Sequence, residues 1–173
     1  DSYSGSSPGF FLAAFTPFIV TLMLSTIAVG QEGRAVVNVY MLPISAKEFI
    51  KGKLLLTWIV SALTTVGTIG IFEIIAPMGY ANMEATILAS AFVILAEGFI
   101  GLGVGSRHPD FTVGSRSRYV TLGGFIIGLF TGGAMTLAIF VPIALHLLSA
   151  ARFNLLMMLP ITLAVGSFLT YIA

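Results

Sequence analysis

Two acids, Glu73 and Glu97, fall inside long apolar runs of this chain. A carboxyl at such a position is costly and faces protein or water when it is kept. Glu73 is near the outer end of its run and can reach water. Glu97 lies about seven residues from the inner boundary of its run, which leaves two roles open: a hydrogen-bonded structural group, or part of the wall of a polar cavity. Either acid can also meet a part of the protein beyond this sequence. The remaining reactive residues form no constellation. There is no cysteine, so disulfides, thiolate chemistry and cysteine metal sites are excluded. His146 has no second histidine or nearby acid to share a metal. The His-Pro-Asp of 108–110, a tripeptide known from co-chaperone J-domains, follows an apolar run here and reads as the turn of a loop. No Ser/His/Asp set or carboxylate pair can be assembled. No G-x-x-x-x-G-K-[ST] sequence is present to cradle ATP phosphates. The GLGVG of 101–105 ends an apolar run and follows no strand, so it reads as helix packing. No catalytic residue, cofactor or metal is expected, and the chain is not expected to be an enzyme.

Composition sets what must hold these residues. Of 173 residues, 57% are hydrophobic and 9% charged, and mean hydropathy is +1.04. Soluble domains carry about 25% charged residues, and a soluble core of this length cannot hide so much apolar surface. Lipid is the expected solvent. A net charge of +1 gives no footprint for nucleic acid. A helix needs about 20 apolar residues to cross a bilayer. Five stretches qualify: 10–29, 54–75, 85–104, 120–139 with a short outer helix reaching 148, and 155–172. The expected fold is all-α: one transmembrane domain over 1–173, a polytopic helix bundle of about five spans. Arg34, Lys47, Lys51, Lys53, Arg107, Arg116 and Arg118 lie in loops 30–53 and 105–119, and only Arg152 lies on the other side. This asymmetry places both loops in the cytosol, the N-terminus outside and the C-terminus inside. The expected location is the plasma membrane. The chain starts at Asp1, and DSYSGSSPG has no basic region of a signal peptide. An outside N-terminus without a signal is most simply explained by a span upstream of this sequence.

The first loop concentrates polar chemistry. In RAVVNVYML, Val36, Val37, Tyr40 and Met41 share one helical face, and Arg34 and Asn38 another. A short amphipathic helix at the cytosolic interface is expected, stopped by Pro43. Ser45 stands three residues before Glu48, the capping-box spacing that opens a helix. Lys47, Lys51 and Lys53 follow on its first turns. Such an element suits either a lipid surface or a groove on a partner protein.

Glu32-Gly33, Pro43-Ile44-Ser45, Glu48, Gly52-Lys53 and the leucines after them resemble the loop that follows the second span of type-2 ABC-transporter permeases. The resemblance implies that the spans here correspond to family spans two to six, the first lying upstream. It also implies a coupling helix in this loop that engages a cytosolic ATPase subunit, with Arg34, Val36, Val37, Tyr40, Met41, Pro43, Ser45 and Glu48 as the coupling set. A second permease half or a homodimer partner is implied, together with an exporter's outward transport path between the halves. A short outer helix between the last two spans has a counterpart there. The alternative function is a structural or accessory subunit of a larger membrane complex.

Glycines complete the sequence-level picture. Gly124, Gly128 and Gly132 form one G-x-x-x-G row, and Gly101 and Gly105 another. This spacing lets helix backbones approach closely. Both rows are expected at internal helix contacts or a dimer seam.

Overall fold

The computed structural model describes residues 8–35, 45–75, 77, 80–110 and 119–148. Four helices follow in order: α1 is Pro8–Ile27, α2 is Ala46–Ile75, α3 is Tyr80–Arg107 and α4 is Leu122–Leu148. A 3-10 turn, Gly30–Ala35, follows α1. Apart from the isolated bridge between Pro109 and Val120, the described residues hold no extended pairing. Stretches long and apolar enough to cross a membrane occupy Lys47–Ile75, Met83–Arg107 and Leu122–Val141, and α1 adds the shorter Phe15–Ile27. Helices satisfy every backbone group internally, which lipid requires. The chain is a helical membrane protein.

The helices outrun the apolar stretches read from the sequence. α2 starts at Ala46, ahead of the apolar stretch expected from 54, because its charged first turns are helical too. The Glu48 N–H donates to the Ser45 hydroxyl at 3.2 Å, and the Ser45 N–H donates to Glu48 Oε2 at 2.9 Å. The Ser45 hydroxyl also donates to the same carboxylate oxygen, at 2.9 Å. This closed capping box contributes about 1 kcal/mol to the start of α2. That start is the one the Ser45–Glu48 spacing indicates, whereas α4 runs past the crossing expected for it. One helix runs unbroken to Leu148, with Pro142 inside it, where a crossing to about 139 and a separate outer helix were expected. A proline removes one backbone donor, and hydrogen bonds on either side carry the helix past it. The expected fifth span at 155–172, and the amphipathic helix at 36–42, lie outside the described residues.

Helix directions follow from contacts at glycines. Gly101 meets Ser25 and Gly105 meets Thr26, so α1 and α3 run parallel. Gly124 meets His108 while Gly132 meets Glu97, so α4 runs antiparallel to α3. α3 is the central helix, packed on the other three. Gly101 and Gly105 on it admit α1 closely. The main apolar core joins Phe18 and Leu22 of α1, Val93 and Ile100 of α3, and Met135 and Ile139 of α4.

Polarity is partly inverted relative to a soluble protein. Thr21, Ser25, Ser61, Thr86, Ser90 and Glu97 are buried, whereas α2 exposes Leu55, Ile59, Leu63, Val66 and Ile74, the last at 85%. A continuous apolar face of this kind suits lipid rather than water.

Candidate functional site

Glu97 is fully buried where α1, α3 and α4 converge. The Thr136 hydroxyl on α4 donates to its Oε1 at 2.9 Å. Its Oε2 has no hydrogen-bond partner among the described residues. That oxygen points at Gly132, where an added Cβ would lie 3.1 Å from the carboxyl carbon and closer still to Oε2. The missing side chain at 132 is therefore what makes room for the carboxyl. From α1, the Ser25 hydroxyl lies 3.1 Å from the Glu97 backbone oxygen and 2.6 Å from the Thr21 carbonyl, so its one proton serves these acceptors in turn. Oε2 is left able to accept one further hydrogen bond, and among the described residues no second acid stands beside it. Trp58 of α2 sits against Gly98, and Glu73 is fifteen residues further along α2, so the two acids are separated by about 22 Å along the bundle. Among the described residues, no three His, Cys, Asp or Glu side chains cluster to hold a metal. An apolar groove of about 310 Å³ lies elsewhere, between α1 and α2, lined by Phe15, Thr16, Ile19, Val20 and Phe72.

The hydrogen bond at Glu97 makes a prediction. Thr136→Val keeps the shape and removes the donor to a buried carboxyl. It is expected to cost about 1–3 kcal/mol of bundle stability. Thr131 is exposed, and its hydroxyl donates only to carbonyls of its own helix, those of Ile127 at 2.7 Å and Gly128 at 3.3 Å. Thr131→Val is expected to stay within about 0.5 kcal/mol. Unfolding of both variants in mixed micelles measures the difference.

The glycines are not equivalent. At Gly101 an added Cβ would lie 2.8 Å from Ser25 Cβ and 3.0 Å from the Thr26 nitrogen. At Gly105 it would lie 3.0 Å from the Thr26 carbonyl carbon, and at Gly124 2.5 Å from His108 Cβ. At Gly128 the nearest atom, on Val104, is 3.6 Å away, which is ordinary contact. Gly98 was not singled out from the sequence, yet its missing side chain makes space for the Trp58 ring. Trp58 in turn packs edge-on against Phe99, with centroids 5.5 Å apart. Thr136 was also missed. It stands one turn from Gly132, on the face of the glycine row, and that spacing was the available signal.

At the other candidate site, Glu32 in the 3-10 turn forms an ion pair with Lys53 on α2. Lys53 Nζ also lies 5.5 Å from the centre of the Phe49 ring. Ser45 and Glu48 form the cap already described. Arg34 belongs to the turn. Val36, Val37, Tyr40, Met41 and Pro43 lie outside the described residues.

No family model, curated protein or solved structure matches the chain.

Proposed function

We propose that this chain is the membrane-spanning permease component of an ABC-type exporter, moving its substrate with ATP hydrolysed by a cytosolic partner subunit. The observation that carries this reading is the way the first loop is held. The Glu32–Lys53 pair ties the turn after α1 to the start of α2, and the Ser45–Glu48 box fixes where α2 begins. Residues 36–44 therefore connect two anchored points on a membrane bundle. Force that reaches these two anchors passes into two helices at once. Glu32, Ser45, Glu48 and Lys53, which make these anchors, are among the residues that carry the resemblance to type-2 ABC permeases. In this reading the chain works beside a second permease half or a second copy, and the substrate path lies between them. Outward transport follows from the resemblance.

Two measurements test the reading. The basic residues on loops 30–53 and 105–119 orient both toward the cytosol. A cysteine at Ser115 is expected to label only from the cytosolic side, and one at Ala81 only from outside. Outside labelling at 115 overturns the orientation and the coupling loop with it. Mild-detergent purification from native membranes is expected to bring along an ATPase subunit. Redox subunits in its place would establish the accessory-subunit alternative instead.

A further inference from the structure

Gly30 opens the 3-10 turn after α1. A Cβ there would overlap the Tyr119 carbonyl oxygen and lie 2.7 Å from the carbonyl carbon. Its backbone is not in the left-handed region, so close approach, not turn geometry, is what requires glycine. Tyr119 belongs to a small clasp that closes the connection between α3 and α4. The Asp110 N–H donates to the Tyr119 carbonyl at 3.1 Å, and the Thr121 N–H donates to the His108 carbonyl at 3.0 Å. Pro109 and Val120 form the bridge between these bonds. The clasp is seated on α4 through His108, which lies against Gly124. On its other side, the turn is tied to α2 by the Glu32–Lys53 pair.

We propose that Gly30 is a positioning residue that locks the 3-10 turn after α1 onto the clasp between α3 and α4. Displacing that turn then moves the start of α4 through the clasp. Packed cores and interfaces transmit shifts of this kind because they do not deform continuously.

The test uses the full chain in lipid nanodiscs and reads hydrogen exchange at the Asp110 and Thr121 amides, the two donors of the clasp. Gly30→Val pushes a side chain into the Tyr119 carbonyl, and exchange at both amides is expected to rise roughly tenfold. Gly52→Val is the control, since nothing lies within 4 Å of a Cβ there. It is expected to leave both rates unchanged. Glu32→Ala, which frees the turn from α2 without touching the clasp, is expected to raise the same two rates roughly threefold. Unchanged rates in Gly30→Val overturn the seat, and unchanged rates in Glu32→Ala overturn the transmission. Glu32→Ala adds no bulk, so its two exchange rates test the coupling even if Gly30→Val fails to fold.

Discussion

Leucine at Gly101 or Gly105 is expected to separate α1 from α3 and leave the chain unable to form its bundle. At both positions the atoms in the way belong to α1 itself. A Cβ at 101 meets Ser25 Cβ and the Thr26 backbone nitrogen, and one at 105 meets the Thr26 carbonyl. A flexible side chain can swing aside, but a backbone cannot move without taking its helix with it. Overpacking of this kind costs about 3 kcal/mol or more, a large part of the stability of a domain this size. Gly67→Leu on α2 is the matched control, because nothing lies within 4 Å of a Cβ there. Gly128→Leu, on the other row, is expected to fall between them, since that position has room for a first carbon. The fraction of monodisperse protein after extraction ranks the four variants. Equal behaviour of Gly105→Leu and Gly67→Leu would contradict the packing of α1 on α3.

The second large effect belongs to the first loop. Replacing Val37 and Tyr40 together with glutamate is expected to leave the spans inserted, since both fall outside the apolar stretches of the sequence. If the loop couples to an ATPase as proposed, the change is expected to abolish capture of that partner and the stimulation of ATP hydrolysis by substrate. Buried apolar contact contributes about 25 cal/mol per Å², so two lost anchors amount to roughly 2–4 kcal/mol. That corresponds to a drop of about thirtyfold to nearly a thousandfold in affinity. If the loop only touches lipid, surface attachment changes and partner capture does not. Pull-down with the double variant, compared with Leu63→Ala on the exposed face of α2, separates the two.

The long apolar helices were readable because hydropathy over some twenty residues outweighs local detail. The start of α2 was readable because Ser45 and Glu48 carry their own short-range signal, three residues apart. What glycine spacing alone leaves undetermined is the neighbour. Gly101 and Gly128 look alike in sequence, yet one touches a backbone and the other has room, because contact depends on the depth at which two helices cross. Spacing could place Thr136 on the face of the glycine row, but not opposite Glu97, for the same reason. The two are 39 residues apart and meet only once α3 and α4 are in register. The contact of Gly30 with Tyr119 is also non-local. It depends on two connections folding back to the same end of the bundle, which no periodicity encodes.

The pairing of α1 with α3 has a consequence for biosynthesis. A nascent chain delivers its spans to the bilayer in order, so α1 must wait while α2 and then α3 emerge before it meets its main partner. During that interval Ser25 and Thr26 have no neighbour from α3. They can bear the wait because each hydroxyl already has an acceptor on its own helix: Ser25 at the Thr21 carbonyl, 2.6 Å away, and Thr26 at the Leu22 carbonyl, 2.5 Å away. Glu97 arrives later on α3 and has no such shelter, because its hydroxyl donor is Thr136, on the helix after its own. A polypeptide arrested between α3 and α4 would leave that carboxyl in the bilayer without its donor, so α3 reaches its low-energy state only when α4 has arrived.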